Sequence, residues 1–135
     1  MNTEQSLVIL ETVRASLTAE MNFAQIVAKL SAIGVERYHA DYSRQESTYY
    51  LADGASLIVP VRRGEFPTGT DFSATDVESA VRQSQRGEHT FMDFVRKTMN
   101  AGCVGYFVQI AGRRVIYFGR NGESHTEWFP GAKGQ

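Results

Sequence analysis

Leu10, Val13 and Leu17 share one helical face, with Leu7 a turn earlier and a polar start at Thr3, which predicts a first helix. Asn22 then offers an N-cap with Gln25 three residues on. The stripe Phe23, Ile26, Val27, Leu30 and Ile33 predicts a second helix closed by Gly34, a residue suited to the positive φ that follows a helix. From Val35 the period drops to two. Tyr38, Ala40 and Tyr42 alternate with Arg37, His39 and Asp41, as in a strand with unlike faces. A turn at 43–46 leads to two further strands, about 47–52 and 55–61, flanking Asp53-Gly54, a pair that tolerates hairpin geometry.

The stretch 62–72 holds Gly64, Pro67 and Gly69 without sustained periodicity, so the one substantial connection belongs there. Beyond it the order of elements repeats. Ser73 caps a helix with Val77, Ala80 and Val81 on one face, ending near Gly87; Thr90 and Asp93 open another carrying Phe91, Phe94, Val95 and Met99, closed by Gly102. Val104, Tyr106, Val108 and Ile110 begin a strand, 113–119 supply another, and Asn121-Gly122 turns into a last one that runs to Phe129.

Sliding the sequence on itself by 68 positions aligns residues 3–57 with 71–125 without a gap, and 12 positions become identical, among them Gly34/Gly102, Tyr38/Tyr106 and Gly54/Gly122. An ungapped offset maintained through loops argues for duplication rather than chance similarity of two units. The expected fold is α+β: a tandem duplication of an α-α-β-β-β unit with pseudo-two-fold symmetry and antiparallel sheets packed by helices. The chain is expected to form a single domain, 1–135, made of repeats at about 3–61 and 71–130 joined by a linker near 62–72. One unit is expected to bury its apolar face against the other, because about 68 residues make a thin core alone.

Composition narrows the function. Fourteen basic and 15 acidic residues leave no net field to favour nucleic acid or an anionic membrane. No apolar run approaches membrane-spanning length, no signal segment is read, and the single Cys103 suits a reducing compartment, so the expected location is the cytoplasm.

The strings Gly34-Val35-Glu36-Arg37-Tyr38-His39-Ala40-Asp41, Tyr49-Tyr50-Leu51-Ala52-Asp53-Gly54 and Gly112-Arg113-Arg114-Val115-Ile116-Tyr117-Phe118-Gly119 resemble an uncharacterised bacterial family, the YdfO-like proteins, some encoded in prophages and often labelled phage envelope protein. The resemblance covers nearly the whole chain and brings no catalytic residues with it. An envelope role would require an apolar anchor, which the pattern lacks.

Candidate chemistry is sparse. No metal-ligand spacing of the Cys-x-x-Cys or His-Glu-x-x-His kind occurs, so neither metal nor cofactor is expected. His39 with Asp41, and His125 with Glu127, share strand faces and are the catalytic candidates, since a carboxylate can orient an imidazole for acid-base work; exposed polar strand faces are the commoner meaning of such pairs. These four positions face Phe107, Gln109, Leu57 and Val59 at the 68-residue offset. Either each copy covers a different part of its neighbour, or the exchanged positions bracket one cleft with Arg37 and Trp128 as ligand-binding neighbours. His89 reads as surface, and Cys103, standing where Val35 stands in the first copy, reads as a small buried hydrophobe. Gly105-Tyr106-Phe107-Val108 near Arg113, Arg114 and Arg120 resembles an RNA-binding sheet only faintly, with the wrong element order and no basic excess. The expectation is a non-enzymatic binding module for a protein partner or a small ligand. Its rivals are a small enzyme using a His/carboxylate pair and nucleic-acid binding through the second-copy arginines.

Overall fold

The computed structural model describes residues 1–132, which form four helices and six strands. In chain order they are α1 (Thr3–Leu17), α2 (Phe23–Ala32), β1 (Val35–Asp41), β2 (Glu46–Leu51), β3 (Ser56–Pro60), α3 (Ala74–Gln85), α4 (Phe91–Asn100), β4 (Cys103–Gln109), β5 (Arg114–Gly119) and β6 (Ser124–Trp128). Local chemistry accounts for the helix starts. Asn2, Asn22 and Thr90 each form a reciprocal capping box with the residue three positions on, and Ser73 caps α3 by accepting from the Asp76 amide. Gly34 and Gly102 follow α2 and α4 at φ 91° and 89°.

The strands form one antiparallel sheet in the order β3-β2-β1-β4-β5-β6. The two halves therefore meet edge to edge, through β1 and β4, in one continuous sheet where separate antiparallel sheets packed by helices were expected. Joining two edges satisfies both rows of backbone donors and acceptors that would otherwise stand open. The register of this seam places Tyr38 opposite Val108, His39 opposite Phe107 and Ala40 opposite Tyr106.

The helices pack on one face of the sheet, α2 over β1, α4 over β4 and α3 over β6, while α1 lies against α2 and α4. As the alternation predicts, Tyr38, Ala40, Tyr42, Tyr106 and Val108 are buried beneath them and Ile110 is partly so. Tyr38 stacks on Tyr49 at 4.8 Å, Tyr106 lies 5.4 Å from Tyr117, and the Tyr42 hydroxyl bonds Thr98 at 2.8 Å. Cys103 is fully buried, its thiol donates to the Gly105 carbonyl, and burial pushes its pKa up to about 11.

α1 departs from expectation. It buries Ile9, Thr12 and Ala15, keeps Val13 only partly buried and leaves Leu7, Leu10 and Leu17 exposed, so at about 100° per residue the packed arc lies nearly opposite the leucines. The leucine face also carries Arg14, which pairs with Glu11 and Glu20 in water; the small Thr12 and Ala15 side chains occupy the packed side instead.

Candidate functional site

The face of the sheet opposite the helices carries one of the expected pairs. His39 stacks on Phe107 at 4.5 Å and on Phe118 at 5.7 Å, and Ile116 and Thr48 continue its row through cross-strand pairing. Asp41 shares the face, but its carboxylate accepts from the Arg44 amide at 3.1 Å, and the two side chains form no hydrogen bond with each other. Desolvation among the aromatic rings lowers the His39 pKa, with the charge of Arg63 acting in the same direction against the opposing carboxylate of Asp41. Arg37 lies 4.2 Å over the Tyr50 ring and pairs with Glu36, while Trp128 is covered by the Arg114 guanidinium at 4.5 Å.

The second pair stands on the other side. His125 pairs across the strands with Tyr117 and Glu127 with Val115, both of which point toward the helices. The His125 Nε2–H donates to Glu127 Oε2 at 2.5 Å, and Arg82 from α3 donates to Glu127 Oε1 at 2.9 Å. Glu78, also on α3, comes within 4.0 Å of the imidazole. The three donor atoms of Glu78, His125 and Glu127 lie within 4.8 Å of one another, a set able to hold a divalent ion in competition with Arg82. Spacing along the chain hid this grouping, because Glu78 belongs to a different element. His39 and His125 lie on opposite faces of the sheet, which overturns the arrangement in which both pairs bracket one cleft beside Arg37 and Trp128. Adjacent strand residues alternate faces, and the seam register gives the odd-numbered His39 and His125 opposite directions. His89 is half-buried, held between the Ser84 hydroxyl and the Lys97 ammonium; desolvation and then Lys97 lower its pKa.

A site that sequence reasoning missed lies between the helices and the sheet. After β3 the chain is tied back to the β1–β2 turn: the Val61 amide donates to the Gln45 carbonyl at 2.9 Å and the Arg63 amide to Gln45 Oε1 at 3.1 Å. This anchoring turns Arg63 inward, where it is 3% exposed. Its guanidinium donates to Ser47 Oγ at 2.6 Å and to the Glu46 carbonyl at 3.4 Å, and its Nε–H has no acceptor among the described residues. No carboxylate among the described residues pairs with it. The carboxylate of Glu46 points to the opposite face and takes Arg44.

Arg63 lines a cavity of about 30 Å³ together with Thr12, Ser16, Tyr38, Ser47, Tyr49 and Tyr106. Ile26 and Val61 complete its buried wall, and the partly exposed Val13 and Phe91 and the exposed Leu17 stand where it approaches solvent. Desolvation raises the pKa of Tyr38, Tyr49 and Tyr106, and the positive field of Arg63 opposes that shift in all three, aided at Tyr106 by a side-chain hydrogen bond with Arg63, whose guanidinium also lies 5.8 Å from the Tyr42 ring centroid. The sequence signal that could have found this site was the 68-residue offset itself, which pairs Ser47 with Val115 and Thr12 with Ala80. These are polar-for-apolar exchanges on the core side, whereas Arg63 alone, in an aperiodic Gly/Pro-rich stretch, looks like any surface arginine.

A family model described as protein of unknown function (DUF1398) matches residues 9–127, from α1 into β6. No curated protein matches the chain.

Proposed function

The chain belongs to the DUF1398 family of proteins of unknown function, and from that premise we propose that it is a non-enzymatic binding module that holds a small anion against Arg63. The observation that carries the reading is a guanidinium buried to 3% exposure with a free Nε–H and no carboxylate partner among the described residues. Arginine does not escape burial by deprotonating, and an unpaired buried charge costs several kcal/mol of desolvation, on the order that a bound anion offsets. Neither His39 nor His125 lines the cavity, so among the described residues no histidine stands beside the bound group as a general base.

The test is thermal unfolding of the parent and of Arg63→Met in formate or nitrate at constant ionic strength. Without added anion Arg63→Met is as stable as the parent or more so, by about 1–4 kcal/mol, because the unpaired charge is gone. The parent then gains stability with anion concentration, roughly 2.7 kcal/mol at a hundredfold excess over Kd, and the variant does not. Equal anion responses in the two proteins would sink the reading.

We further propose that the fold is a tandem duplication forming one domain, 1–135, with a pseudo-two-fold axis normal to the sheet between His39 and Phe107. Residues 68 apart face each other there, and the neighbouring pairs Tyr38/Val108 and Ala40/Tyr106 exchange under that rotation. Positive φ recurs at matched positions too: Ala19 and Gly87, Gln45 and Arg113, Gly54 and Gly122. Under this reading the cavity is an asymmetry between copies, because Val115 stands where Ser47 does.

A separate observation favours a protein partner as a second reading. The helix-free face presents His39, Phe107, Ile116, Phe118 and the 59% exposed Ile58 as one apolar band. A defined partner held by the parent and lost on Phe107→Asp supports it; one retained by that variant counts against it.

A further inference from the structure

Resting on the reading of Arg63 as an anion site, we propose that its ligand is a small monocarboxylate with an apolar body, the carboxylate inside the cavity on Arg63 and the body across the mouth on Val13, Leu17 and Phe91.

Charge sets the valence. Arg63 is the one cationic side chain in the lining among the described residues, so a monoanion is neutralised there, while a dianion such as sulfate would bring a second, unmatched charge into a largely buried site. Donor geometry sets the headgroup. The free Nε–H is one arm of the planar fork with which arginine takes a carboxylate side-on. Ser47 Oγ accepts from the guanidinium and its O–H is directed to the neighbouring Tyr49 hydroxyl, so both hydroxyls line the cavity beside Arg63 as donors a carboxylate can recruit. Size and polarity set the remainder. About 30 Å³ exceeds the roughly 10–15 Å³ that one water requires and falls far below the roughly 300 Å³ or more of pockets that enclose a whole ligand, so only a small headgroup enters. The rest of the acid therefore lies at the mouth, on the partly exposed Val13 and Phe91 and on Leu17, which is 40% exposed, with Ser16 as the one hydroxyl among them. Apolar contact on these side chains rewards a hydrocarbon body, not a second polar group.

Isothermal titration of the full chain with acetate, butanoate, hexanoate, neutral hexanamide and sulfate decides the class. Affinity is expected to rise roughly two- to fourfold per methylene from acetate to hexanoate, as partial burial of each group dictates. Hexanamide binds at least about tenfold more weakly than hexanoate, since a charge-assisted pair is lost. Arg63→Met abolishes binding of every acid, and Leu17→Ser narrows the gap between hexanoate and acetate. Ser47→Val, which installs the residue found at the matched second-half position, weakens all the acids and keeps the test open if Arg63→Met does not fold. Sulfate binding more tightly than hexanoate, or Arg63-dependent binding with no chain-length dependence, overturns the monocarboxylate class and leaves the anion site standing. Acid binding that survives both Arg63→Met and Ser47→Val removes the anion site as well.

Discussion

His39 packs against both the Phe107 and Phe118 rings, and this setting, rather than the carboxylate two residues away, governs its ionisation. Its pKa is lowered from 6.5 in the folded chain, so the unfolded state binds the proton more readily. Its contribution to stability is therefore present above about pH 6.5 and is lost as pH falls through the folded pKa. NMR titration is expected to place His39 below a free imidazole. His39→Phe, which repeats the residue at the matched position, is expected to flatten the fall in stability between about pH 7 and pH 5, leaving the share that the similarly lowered His89 retains. A His39 resonance titrating at or above 6.5 would contradict this account. Environment likewise separates the arginines: Arg37 and Arg114 lie over aromatic rings at the surface, whereas Arg63 is enclosed with a donor to spare.

At the scale of elements, the ends of α2 and α4 look alike in sequence and differ in what surrounds them. Both are followed by glycine at a φ near +90°. A Cβ at Gly34 would meet nothing within 4 Å, but at Gly102 it would come within 2.5 Å of the Asp71 carbonyl oxygen and 2.8 Å of the Phe72 Cα. The difference arises from the connection between the halves, which runs over the end of α4: the Gly69 amide donates to the Met99 carbonyl and the Ser73 amide to the Ala101 carbonyl. Gly34→Ala is therefore expected to cost about 1 kcal/mol, the backbone effect alone. Gly102→Ala is expected to cost about 3 kcal/mol or more, since backbone must also move. Urea denaturation measures both, and equal losses would show that the connection does not press on α4. The rotation of α1 belongs to this scale too, because periodicity marked the leucine stripe as the inner face and packing buried Ile9, Thr12 and Ala15 instead.

For the whole molecule the decisive feature is the seam, where β1 and β4 join the halves into one hydrogen-bonded sheet. Neither half can lose its structure without exposing the neighbour's central strand and the shared tyrosine core. Unfolding is expected to be a single transition, with Trp128 fluorescence, reporting β6, coinciding with far-ultraviolet circular dichroism, reporting every element. Two separated midpoints would mean that the halves fold independently. Arg63 also belongs to this scale. It is brought to its cavity by Gln45 in the β1–β2 turn, 18 residues back along the chain, and by α1, further back still.

Element order, the capping residues, the glycines at positive φ and the inward set Tyr38, Ala40, Tyr106 and Val108 were determined by the sequence itself, because each depends on contacts within a few residues or on strict alternation. Tertiary structure decided what depends on neighbours distant in the chain. It joined the halves along one edge, put His39 and His125 on opposite faces, turned the leucines of α1 to solvent and enclosed Arg63. The physical reason is the same in each case. A side chain's period fixes which neighbours share its face, while burial and charge pairing depend on what the rest of the fold brings to that face, and no spacing along the chain encodes it.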